Sequence, residues 1–319
     1  MVSITQPWRC RDGRWFLPHF NLPHLEKKVL DVLGCEGTPE AVAEAVRKWN
    51  SEDLDRAIYE AGATGGISLA EHGADVLMVT APQLPQVPNF VRDVSHGKRS
   101  CYLDYNVPGE AQKIRELTKG ADIFLEGYRP GSMERHGFSP EEVAAIKSGI
   151  IYVSIDCFGP GGAYSDRAGW DQVAQAVTGI AVTEGKLEGN GEPKLTPVYA
   201  CDFLTGFLGA FGAMLALRKR AEEGGSWKVH VSLCQSAMLL QREGLMDQVV
   251  KTAQGGIVSE FDAAPGRLPE DLFEEYAVCD DETIYGDLKT LGPVIRMSET
   301  NPRWNGTTPE LGSSEPVWL

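Results

Sequence analysis

The segment TPVYACDFLTGFLGAFGAMLAL, which spans Thr196 to Leu217, decides the fold. A β-prone stretch ends near one carboxylate, Asp202, and an apolar helix follows directly. An Asp at this junction is a good helix N-cap, because its oxygens accept hydrogen bonds from free N–H groups and its charge suits the helix dipole. The segment therefore favours a structural cap. It leaves open a second interpretation, in which Asp202 is a nucleophile that forms a covalent acyl intermediate.

The composition sets the class of protein. With 319 residues, of which 42% are hydrophobic and 24% charged, the chain can bury a large core and can form more than one domain. The net charge of −15 argues against nucleic acid and anionic membrane surfaces as partners, since both favour a basic face. The sequence therefore predicts a soluble globular protein whose anionic ligands need a local basic patch.

Cysteine and histidine usage predicts no metal site and no disulfide framework. The seven cysteines contain no C-x-x-C pair, and the six histidines form no H-E-x-x-H or comparable cluster. The region from Met1 to Cys10 lacks the apolar core of a signal peptide. The apolar run from Phe203 to Leu217 is too short to span a bilayer, so we expect a buried helix and no membrane partner. These features predict a cytoplasmic location, with mitochondria and peroxisomes as alternatives.

The first 66 residues have the pattern of a small α+β unit. CRDGRWFLPHF, from Cys10 to Phe20, places an Asp-Gly turn before apolar residues, which is typical of strand and turn. Leu22 to Leu33 has the apolar spacing of an amphipathic helix. Thr38-Pro39 is a helix start, and the helix that follows is predicted to run to about Trp49. Ser51 is predicted to start a third helix.

From Leu69 onward the pattern alternates between helices and strands. LAEHGADVLMVTAP (Leu69 to Pro82) and AQKIRELTKGADIFLEGYRPG (Ala111 to Gly131) each place a helix end and a glycine before an apolar strand. IIYVSIDCFG (Ile150 to Gly159) is a third strand, and WKVHVSL (Trp227 to Leu233) is a fourth that leads into a helix. Apolar strands that alternate with amphipathic helices predict an α/β fold with a parallel sheet covered on both faces.

Ligands of such sheets bind at the carboxyl ends of the strands. The candidate loops are accordingly Tyr128 to Gly131, Gly159 to Asp171 and Tyr199 to Asp202. Residues 252–316 are rich in glycine, proline and acidic side chains, with one strand-like piece at Pro293 to Met297. The sequence thus divides into a small unit (1–66), an α/β domain (67–245) and an irregular closing segment (246–319).

An ordered series of segments closely resembles the family III CoA-transferases, the CaiB/BaiF family, which includes α-methylacyl-CoA racemases. The segments are GADV (Gly73 to Val76), HGKRSCYLDY (His96 to Tyr105), ADIFLEGYRPGSMERHGF (Ala121 to Phe138), IIYVSIDCFGPGGAYSDRAGWDQVAQAVTG (Ile150 to Gly179) and YACDFLTGFLGAFGAMLAL. The resemblance covers more than half of the chain. It implies a Rossmann-like parallel sheet domain and a small α+β domain.

The resemblance also implies the roles of particular residues. It makes Asp202 the nucleophile, and coenzyme A or acyl-CoA a substrate rather than a permanently bound cofactor. The residues that it places around the CoA moiety are Leu103, Asp104, Gly127, Tyr128, Arg129, Arg135, Ala168, Gly169, Trp170 and Asp171. Because CoA carries a 3′-phosphate and a pyrophosphate, an acidic protein must supply cations to hold it. Lys98, Arg99, Arg129 and Arg135 are the cations in these loops.

The favoured function is the transfer of CoA between an acyl-CoA and a carboxylic acid, through an acyl intermediate on Asp202. One alternative is a 2-methylacyl-CoA racemase, which would need Asp171 and a second base. The other is a non-catalytic or specialised descendant of the family in a biosynthetic pathway, since the family's first strand is missing before GADV. Unpaired backbone groups at that edge, together with the family's dimers, predict a homodimer.

Overall fold

A computed structural model describes residues 4–18, 20, 23–48, 68–84, 88–187, 191–196, 198–244, 276–295 and 297–319. They fall into two compact units. The first contains the described residues of 4–48 and 122–238, and the second contains those of 68–84, 88–121 and 239–319. The predicted boundaries at 66/67 and 245/246 lie outside the described residues, so that division stays a prediction.

Helices and strands alternate along most of the described chain. In order they are β1 (Trp8–Arg9), β2 (Trp15–Phe16), α1 (Pro23–Leu33), α2 (Pro39–Val46), β3 (Leu77–Thr80), α3 (Pro88–Val94), β4 (Arg99–Tyr102), α4 (Pro108–Gly120), β5 (Ile123–Glu126), α5 (Ser132–Arg135), α6 (Pro140–Ile146), β6 (Ile151–Asp156), α7 (Asp171–Thr178), α8 (Ile180–Leu187), α9 (Ala200–Glu223), β7 (Trp227–Ser232), α10 (Leu233–Arg242), β8 (Ala277–Thr283) and β9 (Gly286–Leu291).

The N-terminal part of the first unit has the predicted hairpin and helices. β1 and β2 pair antiparallel, and Gly13 turns the chain between them with a φ of 78°. The hydroxyl of Thr38 accepts the N–H of Ala41 at 3.3 Å, which confirms the predicted start of α2. That helix ends at Val46, short of the expected Trp49, and the helix predicted from Ser51 lies outside the described residues. The core contains Ile4, Cys10, Phe16, Phe20, Val29, Leu33, Val42, Ala45 and Val46.

The rest of the first unit contains a three-stranded parallel sheet and helices. Its strand order is β5-β6-β7, with Ile123 opposite Ile151 and Ile151 opposite Trp227. The β6 strand is buried along nearly its whole length, as expected for a strand covered on both faces. The loops after β5 and β6 contain the predicted ligand-binding segments, Tyr128 to Gly131 and Gly159 to Asp171. The predicted α/β class is therefore confirmed.

Glycines in α9 let this helix lie close to the sheet. A methyl group at Gly209 would lie 3.5 Å from Cγ2 of Val231, and one at Gly212 would lie 2.7 Å from Cγ1 of Val229. The opposite side of α9 is less covered, since Phe203, Phe211 and Leu215 are 40%, 55% and 47% exposed. By length and composition alone α9 could cross a membrane, and a third of its apolar window is buried inside the protein. The prediction of a buried helix is therefore wrong, since α9 is only partly covered.

The second unit pairs β3 with β4 in parallel and contains an antiparallel hairpin, β8 and β9. This hairpin was not predicted from the sequence. The one late strand was expected at Pro293 to Met297, where no strand forms among the described residues. The acidic run Asp280-Asp281-Glu282 hides the alternation of β8. The end of the chain packs within this unit, since the indole N–H of Trp318 donates to the carbonyl of Leu117 at 2.9 Å.

Candidate active site around Asp202

Asp202 lies in the first turn of α9 but does not cap it. The helix begins at Ala200, and Tyr199 occupies the N-cap position without a side-chain hydrogen bond. The predicted capping role of Asp202 is thus wrong, because the residue is already the third of the helix. Its side chain is half-buried, and no donor among the described residues contacts its carboxylate. The carboxylate is therefore uncommitted, in the sense that it accepts no hydrogen bond from the described residues.

Asp171 supplies the cap from the start of α7. Its Oδ2 accepts the N–H of Cys201 at 2.7 Å and the N–H of Asp202 at 3.1 Å. Its Oδ1 accepts the side-chain amide of Gln175, which also accepts the N–H of Thr196 at 2.9 Å. Asp171 is fully buried, and these bonds satisfy orphan donors of the helix N-terminus. The described residues just before α9 form no strand, so the predicted β-prone stretch is wrong; the start of the helix is held by one carboxylate and one amide.

The electrostatics of the pair favour a proton on Asp202. Burial, together with the charge of Asp171, raises the pKa of Asp202 to about 7. Burial also raises the pKa of Asp171, while its hydrogen bonds to Asp202, Gln175 and Cys201 act in the opposite direction. Burial raises the pKa of the adjacent Cys201 thiol, with both carboxylates adding to the effect. The carboxyl of Asp202 therefore ionises near neutral pH while the thiol beside it stays neutral.

The loop before α7 reaches the same region. Gly169 packs so closely on Cys157 that an added methyl group would lie 2.8 Å from its Cβ. Cys157 belongs to a buried cluster that also contains Cys201, so Ala168, Gly169 and Trp170 lead directly to the Asp171–Asp202 pair. Only glycine leaves the space for this approach. The structure thus brings these predicted residues together.

Four further predicted residues follow β5 in the same unit. Gly127 and Tyr128 leave the strand, and the N–H of Tyr128 donates to Oε2 of Glu126 at 3.0 Å. Arg129 is half-buried and Arg135 is exposed at the end of α5. Neither guanidinium forms a salt bridge within the described part of the chain. Both are thus available to an anionic ligand.

The other predicted ligands lie in the second unit. Leu103 is buried directly after β4, and Oδ2 of Asp104 accepts the side-chain amide of Gln83 at 2.6 Å. Two of the four candidate cations have structural roles here. Lys98 is buried, and Arg99 forms a bidentate pair with Asp75 at 2.9 and 2.8 Å. Lys98 and Arg99 are therefore poor candidates for phosphate binding.

A second polar pair was not predicted from the sequence: Nε2 of His230 lies 2.7 Å from Oδ2 of Asp156. His230 belongs to β7 and Asp156 ends β6, and both point away from the face that Val229 and Val231 present to α9. A cleft of about 300 Å³ opens beside His230 and Ser232. The signal in the sequence that could have indicated this pair was His230 itself, a polar residue in the alternating pattern of the half-buried strand β7. No group of three possible metal-ligating side chains occurs among the residues described.

Comparison with known proteins identifies the family. The model of CoA-transferase family III matches residues 53–274. The chain is 36% identical over 234 residues to the acetyl-coenzyme A transferase nodX of Hypoxylon pulicicidum, covering 72% of this chain and 36% of the relative. It is 33% identical over 273 residues to an acyl-CoA transferase of Gibberella moniliformis, covering 77% and 48%. A formyl-CoA:oxalate CoA-transferase of Bradyrhizobium is 34% identical over 207 residues, covering 61% and 48%.

Solved structures agree on the fold. A CaiB/BaiF family protein from Brucella suis superposes with a TM-score of 0.59 at 18% identity, covering 77% of this chain and 91% of that one. A mutant of Rv3272 from Mycobacterium tuberculosis gives a TM-score of 0.62 at 16% identity, covering 78% and 94%. The chain spans between about a third and a half of the length of the curated relatives above. With most of its residues matched by the family model, the chain belongs to CoA-transferase family III.

Proposed function

We propose that the protein transfers CoA between an acyl-CoA thioester and a carboxylic acid, with Asp202 as the nucleophile. The observation that carries the proposal is the uncommitted carboxylate of Asp202 in the first turn of α9. Because Asp171 already satisfies the N–H groups of Cys201 and Asp202, the Asp202 carboxylate is left without a structural role. A half-buried carboxylate that ionises near neutral pH is a stronger nucleophile than a fully hydrated one.

The proposed transfer needs no net proton movement. A carboxylate oxygen of Asp202 attacks the thioester carbonyl, the C–S bond breaks, and a mixed anhydride and CoA thiolate form. The thiolate attacks the aspartyl carbonyl, which releases the first acid and leaves an aspartyl-CoA thioester. The acceptor carboxylate then attacks this thioester, the C–S bond breaks, and a second mixed anhydride and CoA thiolate form. The thiolate attacks the acyl carbonyl of this anhydride, which yields the new acyl-CoA and returns Asp202 as a carboxylate. Because the activated carbonyl stays bound as an anhydride or a thioester throughout, the free energy of the thioester is not lost through hydrolysis.

One backbone N–H at the start of α9 is the candidate donor to the developing oxyanion. The N–H of Phe203 donates to the carbonyl of Tyr199 at 3.2 Å, and those of Cys201 and Asp202 are taken by Asp171. The N–H of Ala200 has no partner among the described residues. We assign it the oxyanion role, since a preorganised donor at a helix N-terminus favours developing negative charge.

The geometry argues against the isomerase alternative. A general base needs a carboxylate that can take up and return a proton, whereas both oxygens of Asp171 hold structural hydrogen bonds in a fully buried position. A non-catalytic descendant of the family remains the second candidate. Its distinguishing property would be CoA binding without covalent chemistry. We propose, in either case, acyl-CoA as the ligand and no resident cofactor.

Mass spectrometry of the intact chain and its peptides tests the proposal. Incubation with acyl-CoA and a free acid should add an acyl or CoA mass to the peptide that contains Asp202, and Asp202→Asn should abolish this adduct. Asp171→Asn should keep it. Deuterium incorporation at the α-carbon that depends on Asp171, without an adduct, would favour the isomerase. CoA binding without adduct or exchange would establish the non-catalytic function.

A further inference from the structure

The carboxyl ends of β5, β6 and β7 carry polar side chains that the proposed chemistry does not use. Glu126, Ser154 and His230 lie opposite one another in the register of the three strands. Side chains at one register position of a parallel sheet point to the same face, and Asp156, two residues after Ser154, shares that face. The four residues therefore form a polar cluster on the face of the sheet opposite α9.

Within this cluster, Asp156 joins the loop after β6 to the neighbouring strand β7. Its Oδ1 accepts the N–H of Gly159 at 2.6 Å, and its Oδ2 lies 2.7 Å from Nε2 of His230. A carboxylate only accepts hydrogen bonds, so the imidazole donates through Nε2. Because both oxygens are bonded, the carboxyl group is held in one orientation. This orientation fixes the turn at Gly159, which has a φ of 79°.

The loop that begins at this turn ends in the segment that the resemblance places around CoA. Gly169, in that segment, packs against Cys157, and a methyl group on it would also lie 3.3 Å from Cε2 of Phe158. Asp171 follows two residues later and caps α9. Both ends of the loop thus contact residues 157–159. The orientation of its first turn therefore sets the path of the chain toward the proposed CoA contacts.

Negative charges lie around the same turn. Burial raises the pKa of Glu126 to about 7, and the charges of Glu134 and Asp156 act in the same direction. The N–H of Tyr128 and the imidazole of His230 act in the opposite direction. Without the imidazole, Asp156 would face neighbouring carboxylates with no side-chain donor to hold it. It would then be free to turn toward solvent and release the loop.

We propose that His230 is a positioning residue for CoA binding, because it holds Asp156 in the orientation that sets the loop from Gly159 to Asp171. The inference deepens the proposed function and rests on it. His230 acts through Asp156 and takes no part in the exchange at Asp202. Loss of the imidazole should leave the loop in several conformations, of which one binds CoA. The affinity then falls in proportion to the fraction of molecules that hold this conformation.

Calorimetric titration with CoA tests the role of His230. His230→Leu removes the donor to Asp156, and the dissociation constant of CoA should rise about tenfold, as for a loop that is competent in about one molecule of ten. His230→Gln keeps an N–H donor and should restore most of the affinity. Lys228→Ala removes an exposed cation from the same strand and should bind CoA as the unmodified protein does. Unchanged affinity in folded His230→Leu would overturn the inference.

Kinetics separate positioning from chemistry. With acetyl-CoA as the donor, His230→Leu should raise the concentration that gives half-maximal adduct formation on Asp202 about tenfold, and should leave the maximal rate within about twofold. A large loss of the maximal rate in both His230→Leu and His230→Gln would place His230 in the reaction itself and contradict the positioning role. If His230→Leu does not fold, Asp156→Asn replaces it, since it keeps an acceptor for Gly159 and loses the charge that His230 holds. That variant should weaken CoA binding severalfold, and unchanged affinity would again overturn the inference.

The two levels of the proposal fail differently. If CoA binds but acetyl-CoA gives no adduct on Asp202, the proposed transfer is wrong, and the calorimetric comparison still decides the role of His230. If adducts form and the His230 variants bind CoA equally well, the transfer stands and the positioning role is wrong. If the unmodified protein binds no CoA, both are wrong.

Discussion

The raised pKa of Asp202 makes this residue unfavourable for folding at neutral pH. The carboxyl has a pKa of about 7 in the folded protein, against about 3.9 for an Asp in an unfolded chain. Between these values the folded state binds more protons than the unfolded state. The free energy of unfolding therefore decreases as pH rises from about 4 to about 7, and the penalty is fully present above that window.

Removal of the charge should accordingly stabilise the protein. We expect Asp202→Asn to raise the free energy of unfolding at pH 8 by about 1–3 kcal/mol, allowing for the partial exposure of the side chain. The gain should shrink toward zero as the pH is lowered to 4. Urea unfolding at both pH values measures it, with Glu141→Gln as an exposed-charge control. An equal effect at pH 8 and pH 4 would show that the ionisation of Asp202 is not the cause.

Arg135 should contribute to CoA affinity. Its guanidinium is exposed at the end of α5 and has no salt-bridge partner in the described structure, so it can donate to a phosphate. We expect Arg135→Ala to weaken CoA binding by about 1–3 kcal/mol in calorimetric titration, the range for a charge-assisted hydrogen bond. Arg218→Ala removes an arginine that pairs with Glu222 on α9 and should change nothing. Unchanged affinity in the Arg135 variant would remove this residue from the site.

At the scale of elements, the start of α9 depends on a side chain from α7. Asp171→Ala leaves the N–H groups of Cys201 and Asp202 without an acceptor in a buried position. We expect a loss of about 2–3 kcal/mol in the free energy of unfolding, from the lost cap and the unsatisfied donors. Asp171→Asn retains an acceptor oxygen and should lose less. Urea unfolding that ranks the two variants in the opposite order would contradict a capping role.

Two glycines of α9 should respond to alanine with opposite signs. Gly206 has open space where a methyl group would stand, so Gly206→Ala should stabilise the protein by about 0.5–1 kcal/mol through helix propensity. Gly212 lies against Val229, so Gly212→Ala should destabilise it by about 1–2 kcal/mol despite the same propensity gain. The pair shares one helix and one substitution, which makes each variant the control for the other. If both variants change the unfolding temperature in the same direction, the close packing of Gly212 on Val229 does not determine the effect.

At the scale of the whole molecule, we expect a homodimer. Phe203, Phe211 and Leu215 form an exposed apolar stripe on α9, of a kind that protein interfaces cover. Light scattering should give a dimer mass, and Phe211→Glu should shift it to the monomer. Val294→Glu, at an equally exposed apolar residue of the other unit, should leave the dimer intact. A constant monomer mass across concentrations would refute the prediction.

Local signals in the sequence predicted much of the fold. The Asp12-Gly13 turn and the Thr38 cap each depend on residues within a few positions of one another. The parallel strands were predicted because each is a continuous apolar run, and the glycines that end the preceding helices lie just before these runs in the sequence. Family membership followed from segments of the same kind. The domain boundaries and the cytoplasmic location stay predictions.

Contacts between distant residues could not be predicted in this way. The cap of α9 comes from Asp171, which is 30 positions before Cys201 in the chain. The His230–Asp156 pair joins residues 74 positions apart and depends on the register of two strands. In the β8–β9 hairpin, Oδ2 of the acidic residue Asp280 accepts the N–H of Thr308, 28 positions later, at 2.8 Å. Sequence periodicity is a local property, and it does not indicate which distant residues become partners.

The bonds from Asp171 to the backbone of α9 also provide two spectroscopic reporters. The amide protons of Cys201 and Asp202 point at a buried carboxylate, so they should resonate downfield and exchange slowly with deuterated water. One belongs to Asp202, the proposed nucleophile, and the other to the residue before it. Their chemical shifts and exchange rates can therefore follow the charge and position of the site in solution, before any substrate has been identified.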